Sequence, residues 1–332
     1  MLRRDKGIVK QFCNCRILRD SRIQTEDLWV RDGRIVNPER IFYDEKIKPD
    51  VKIDCGGALI SPGYIDVQIN GGFGIDFSFN VDSVEEGIDR VAKGLLTHGV
   101  TSFCPTLVTS PSEVYHKVLP RIKKQNGGNH GACVLGVHVE GPFISPNKKG
   151  AHPEHYIKKL DQGFKSVIDM YGDLDNVCMF TLAPEIQNAI PVIEELCRRN
   201  IKVSLGLVLV TDAISALGLE EGIHQLGQFK IEIRKGCAYI AGTDTLCGSI
   251  AEMSKCVRHF KDATGCTIVE ALEAATLHPA RSLGIDSYKG ILNFGADADF
   301  ILLDEKLELL STWISGECVY EKIPFSAKQL EA

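Results

Sequence analysis

Short apolar runs alternate along the middle of this chain with stretches in which apolar positions recur every three or four residues. The first pattern predicts buried strands, the second amphipathic helices. Leu59 to Ile69 reads as a strand and, after a glycine-rich turn, Val84 to His98 as a helix. Thr101 to Leu107 and Ser112 to Lys124 repeat the pair. Val134 to Glu140 is a third strand and Cys178 to Ala183 a fourth, and a helix from Ile190 to Asn200 leads into Lys202 to Gly206. Such alternation predicts a parallel α/β sheet. The rhythm then breaks, because Lys202 to Gly206 runs straight into Leu207 to Ala213, whereas parallel neighbours need a crossover of about a dozen residues. Either this is one long strand or intervening units are absent. About six strand candidates stand where a closed barrel takes eight. Ile231 to Ala241 then reads as a hairpin, and Ile250 to Ala263 and Ile268 to Leu277 as helices.

The two ends follow a different pattern of short alternating segments. Cys13 to Leu18, Leu28 to Arg31 and Arg34 to Val36, the last two joined by Asp32-Gly33, predict a small β unit. Gly290 to Leu292, Ala298 to Leu303, Ser311 to Ile314 and Glu317 to Tyr320 repeat that style, so the ends are expected to pair. The expected division is 1–57 and 290–332 as two parts of a β-sandwich around a barrel unit at 58–289, interrupted between Gly206 and Leu207.

Composition narrows the function. The 332 residues are 44% hydrophobic and 25% charged, enough for a large core. A net charge of −6 and a pI near 5.9 supply no field that gathers nucleic acid or anionic membrane. No run approaches membrane-spanning length, and none of signal length follows the start. The 12 cysteines are scattered singly apart from Cys13 and Cys15. They read as free thiols of a reducing compartment, the cytosol with the nucleus not excluded.

His138 and Glu140 lie two apart near the end of the third strand, on one face, where Gly141-Pro142 stops it. A carboxylate at the C-terminal tip of such a strand suits metal ligation or catalysis, against the plainer role of capping the next segment. His138, deeper in the strand, reads more simply as a core histidine. Asp212 ends the strand from Leu209 and suits a general base, unless it only caps a helix. Asp66, Gln68 and Asn70 alternate along the first strand and share a face. The loop Gly150-Ala151-His152-Pro153-Glu154-His155 could fold over a ligand or be surface turn. Gly242 to Ser249 could bind a hydroxyl or anion ahead of a helix.

Together, Ser61 to Gly71, the Glu140 motif, Gly150-Ala151-His152, Val210-Thr211-Asp212-Ala213, Ser249 with its glycine-rich lead and Gly295-Ala296-Asp297-Ala298-Asp299 resemble the N-acetylglucosamine-6-phosphate deacetylases of the amidohydrolase superfamily. The similarity runs from about Cys13 to Tyr320. It implies a (β/α)8-type metallo-hydrolase barrel, here incomplete, with a small β-sandwich. It implies removal of the acetyl group from N-acetylglucosamine 6-phosphate to give glucosamine 6-phosphate and acetate. It also implies one divalent ion, zinc by family, and a homodimer. By resemblance Glu140 is a metal ligand and Asp212 the acid/base. Ala151, His152, Leu246, Cys247 and Gly248 contact substrate, and Gln68, Asn70 and His138 are further candidates.

The chain also departs from that pattern. The family completes its metal site with a histidine just after a Ser-Leu-Gly strand end and a second in a His-Leu-Phe-Asn-Ala-Met-like motif, and here Ser204-Leu205-Gly206 is followed by Leu207. A catalytically inactive truncated form is therefore the alternative expectation. A cyclic-amide hydrolase or deaminase is disfavoured, since Gln68 and Asn70 stand where such enzymes carry first-strand histidines.

Overall fold

Short apolar segments rich in β-branched, leucine and aromatic residues at both ends of the chain, several of them buried along their whole length, close into two sheets. The computed structural model describes residues 7–150, 152–203, 208–226, 229–322 and 328–330. Both ends of the chain contribute to both sheets. One sheet orders Lys328–Leu330, Val51–Asp54, Val9–Cys13, Leu28–Arg31 and Arg34–Ile35. The other orders Glu317–Glu321, Leu309–Ile314, Phe300–Leu303, Leu59–Pro62, Arg16–Arg19 and Arg22–Thr25. Phe12, Phe300 and Trp313 fill the space between them, Phe12 edge-on to Phe300 at 5.0 Å and Phe300 stacked on Trp313.

The expected single strand from Leu59 to Ile69 is thus two. Leu59–Pro62 belongs to the terminal sheet, and the chain turns at Gly63, where a Cβ would lie 2.2 Å from the Thr101 side chain. Tyr64–Ile69 (β1) begins the parallel sheet, followed by Val100–Val108 (β2), Val137–Glu140 (β3), Val177–Thr181 (β4) and Lys202–Val203 (β5). The register sets Thr106 beside His138, Val108 beside Glu140, and Glu140 beside Thr181. Glu140 therefore closes β3 level with the ends of both neighbours. Helices Val84–Leu95, Ser112–Val118, Phe164–Tyr171 and Ala189–Arg198 connect the strands and bury Val91, Tyr115, Val167 and Val192 in the main core. The second stops well short of the expected Lys124, because Pro120 cannot continue a helix.

The break in rhythm does not resolve into one long strand. β5 pairs with β4, whereas Ala213 bridges Ile69 at the other edge of the sheet, beside β1. The junction from Gly206 to Leu207 lies outside the described residues. Asp212 N–H donates to the Gln68 carbonyl at 2.9 Å and Asn70 N–H to the Ala213 carbonyl at 2.8 Å. Residues 211–213 thus take the place of a closing barrel strand next to β1, as an incomplete barrel requires. Leu135, Cys178, Val208 and Val210, which pack against the cluster of Ile65, Val67, Cys104 and Met179, are only partly buried. The expected hairpin at Ile231 to Ala241 grows into a four-stranded antiparallel sheet of Gly222–Leu226, Phe229–Arg234, Cys237–Ile240 and Leu246–Gly248. Its last strand leads to Ser249, which bridges Ala213.

Candidate active site

Strand ends and two loops meet in a cavity of about 460 Å³ lined by Asn70, Glu140, Lys148, Lys149, His152 and Asp212, among others. Cys247 and Gly248 also reach its wall. Leu246 does not, and is exposed. Ala151 lies outside the described residues. Of the predicted positions, Glu140, His152, Asp212, Asn70, Cys247 and Gly248 converge.

Asp212 sits at φ +47°, a left-handed conformation that aspartate tolerates better than most residues. Gln68 Nε2 and Asn70 Nδ2 both donate to its Oδ1, at 3.3 and 2.9 Å. The alternation read along β1 thus has a purpose, as two amides hold one carboxylate. Burial, then the nearby Glu140 charge, raise the Asp212 pKa above the ordinary aspartate value, against the hydrogen bonds from Asn70 and Gln68. Because a carboxylate only accepts, the Asn70 amide nitrogen faces Asp212. Its buried Oδ1 has no partner among the described residues.

Asp66, the third residue of that alternation, turns to the 211–213 segment instead of the cavity. It is fully buried, and Thr211 O–H donates to its Oδ2 at 2.6 Å. Burial raises its pKa to about 7.

Glu140 is held below the ordinary glutamate pKa although burial works against ionisation, because the His152 hydrogen bond and the charges of His138 and His152 outweigh that cost. His152 Nε2 lies 3.6 Å from Glu140 Oε1. His138 is a core histidine. Its Nδ1 lies 3.0 Å from the Val67 carbonyl, which can only accept, and its Nε2 lies 2.8 Å from the Thr181 hydroxyl. Both ring nitrogens are occupied, and burial lowers its pKa to about 4.

The metal implied by resemblance can be tested against these donors. Among the described residues, no group of three or more His, Cys, Asp or Glu side chains comes together to hold an ion. Glu140 and His152 make a pair, and catalytic zinc sites take three protein ligands. The residues present do not fit that ion.

The amidohydrolase family profile matches residues 59–191 and 193–319. The mouse N-acetylglucosamine-6-phosphate deacetylase is 47% identical over 392 aligned residues, covering 94% of this chain and 96% of the mouse protein. The chain belongs to the N-acetylglucosamine-6-phosphate deacetylase branch of the amidohydrolase family. The aligned span exceeds the 332 residues of the whole chain, so the mouse deacetylase carries positions that face none here. The fold agrees with solved deacetylase structures. That of Pasteurella multocida has a TM-score of 0.76 at 23% identity, covering 94% of this chain and 99% of that one. A mutant deacetylase from Mycobacterium smegmatis, in complex with N-acetyl-D-glucosamine-6-phosphate, has a TM-score of 0.74 at 22% identity, covering 94% and 99%.

Asp76, Thr181 and the pair Lys148 and Lys149, polar residues of this family member's cavity, were given no role by the sequence reading. Lys148 and Lys149 line the same cavity as the carboxylates, Lys149 Nζ lying 3.8 Å from Glu154. The only signal was their place in the loop just after Glu140.

Proposed function

We propose that this chain hydrolyses the acetamide of N-acetylglucosamine 6-phosphate, releasing acetate and glucosamine 6-phosphate. The observation that carries the reading is the convergence of Glu140, His152 and Asp212 on one cavity at the strand ends, in a chain 47% identical to a deacetylase of that sugar phosphate. Asp212, its pKa raised by burial and by Glu140, takes a proton from the attacking water and returns it to the leaving amine. Gln68 and Asn70 aim the carboxylate. His152 faces the sugar. Cys247 and Gly248 border it, and Lys148 and Lys149 meet the phosphate as cations.

The division into a β-sandwich built from both ends and a catalytic unit between them belongs to the same proposal, its first boundary moved from 57/58 to Gly63 because Leu59–Pro62 pairs in the terminal sheet, as does the family homodimer. So does a cytosolic setting, supported by 12 free cysteines. No helix among the described residues is long and apolar enough to cross a membrane.

The test is acetate release by the purified chain from N-acetylglucosamine 6-phosphate, with the galactosamine epimer as comparison. We expect turnover that Asp212→Asn reduces by at least about 100-fold while leaving sugar-phosphate binding in place. No acetate from the unmodified chain, with or without added divalent ions, would overturn the reading.

A further inference from the structure

Asp76 is a third carboxylate lining the active-site cavity, with Glu140 and Asp212, and no step of the hydrolysis uses it. A tight hairpin that leaves the end of β1 fixes its position. Gly71–Gly72 pairs with Ile75–Asp76, and a Cβ at Gly71 would lie 2.1 Å from the Ile75 carbonyl oxygen, so only glycine permits the turn. Phe77 N–H donates to the Asn70 carbonyl at 3.1 Å, and Val108 N–H, at the end of β2, donates to the Ser78 hydroxyl at 3.1 Å. Asp76 N–H itself donates to Asn80 Oδ1 at 2.8 Å.

The two oxygens of this carboxylate have different surroundings. Oδ1 accepts from the N–H groups of Ser78 and Phe79, at 2.9 and 3.2 Å. Oδ2 accepts no hydrogen bond among the described residues. It is not enclosed either, since the buried side-chain oxygens left without a partner are those of Tyr64, Asn70 and Ser102. It is therefore the oxygen available to the cavity that Asp76 lines. We propose that Asp76 Oδ2 accepts a hydrogen bond from a ring hydroxyl of the sugar phosphate, which makes the hydroxyl pattern of the ring a determinant of specificity. Charge selects the hydroxyl. A phosphate at Asp76 would meet like charge, whereas Lys148 and Lys149 in the same cavity attract it. The amide N–H belongs to the reacting bond, which Asp212 serves. Burial raises the Asp76 pKa to about 6 against its two N–H bonds, so at about pH 8 the group only accepts.

The proposal rests on the deacetylase reading for the identity of the sugar. Asp76→Asn separates the contact from the hairpin: an amide oxygen still accepts from both N–H groups, while the amide nitrogen puts a donor where Oδ2 accepted. Initial rates of acetate release at about pH 8 are compared for N-acetylglucosamine 6-phosphate and its 1-, 3- and 4-deoxy analogues. In the unmodified chain, kcat/KM should favour the hydroxylated sugar over one of these analogues by about tenfold, mostly through KM. In Asp76→Asn that preference should vanish to within about twofold. The lost negative charge acts alike on every ligand and cancels in the ratio. Preferences that are the same in both chains for all three analogues overturn the proposal. If the unmodified chain releases no acetate, the ligands persist and calorimetry reads the same preferences, so the deacetylase reading falls while the Asp76 contact is still decided. No binding of any of these ligands overturns both.

Discussion

The two sides of this active site are built differently. Glu140 ends a strand paired on both flanks, Val108 on one side and Thr181 on the other, and two tyrosine hydroxyls secure the residue after it. Asp212 arrives on a segment whose pairing is an isolated bridge to Ile69 and another to Ser249. The first side holds its carboxylate through a continuous sheet. The second holds its carboxylate through side chains, the Gln68 and Asn70 amides on Asp212 itself and Asp66 on the adjacent Thr211. Position is over-determined along a continuous ladder, and depends on a few backbone and side-chain hydrogen bonds where the ladder shrinks to single bridges.

The contrast is broken most severely at Gly141. Gly141→Ala forces a Cβ against Thr109 and a side chain into a positive φ. A loss of about 2–4 kcal/mol in denaturant unfolding is expected. A loss under about 0.5 kcal/mol would show that the paired side is looser than its geometry.

Asp66→Asn probes the other side through pH. The folded pKa of Asp66 is raised to about 7 from an ordinary 3.8, so the folded chain binds the extra proton across that interval. Its contribution is fully present below the unfolded pKa and is lost as pH rises through about 7. Thermal unfolding of the unmodified chain and of Asp66→Asn should therefore diverge in favour of the variant between about pH 4 and pH 7. Parallel curves would place the charge of Asp66 elsewhere than in the interior.

The smallest effect is expected at the cavity mouth. Lys148→Ala and Lys149→Ala should each raise KM for the sugar phosphate by a few-fold, with kcat and stability nearly unchanged, as exposed cations contribute little beyond about 1 kcal/mol. An unchanged KM in the double variant would remove both lysines from the phosphate.

Much of this was legible in the chain. Apolar runs ending in Glu140 and Asp212 located both carboxylates, because a strand that stops at a charged residue marks the sheet's open end. The alternation Asp66, Gln68, Asn70 showed that the three share a face, though not that one of them turns to Thr211. The missing strands were legible as a missing crossover before any comparison. Other features depend on tertiary pairing that periodicity does not encode. Leu59–Pro62 joins the terminal sheet because Phe300–Leu303 lies beside it, a partner more than two hundred residues away in sequence. The Thr109–His152 contact links a strand end to a loop with no helical or strand period. Lys148 and Lys149 lead the polar loop just past Glu140, and nothing local says which way that loop folds.

The hydrogen bond from Asn70 to Asp212 joins residues 142 apart in sequence. Loop closure over such a separation is entropically costly and slow, so contacts of this range form late in folding. Every strand from β1 to β5 can pair with a neighbour before residues 211–213 reach the sheet. In a chain refolding from denaturant, sheet signals should therefore return before Asp212 is seated. Recovery of a competent cavity would then serve as a clock for the last step of folding.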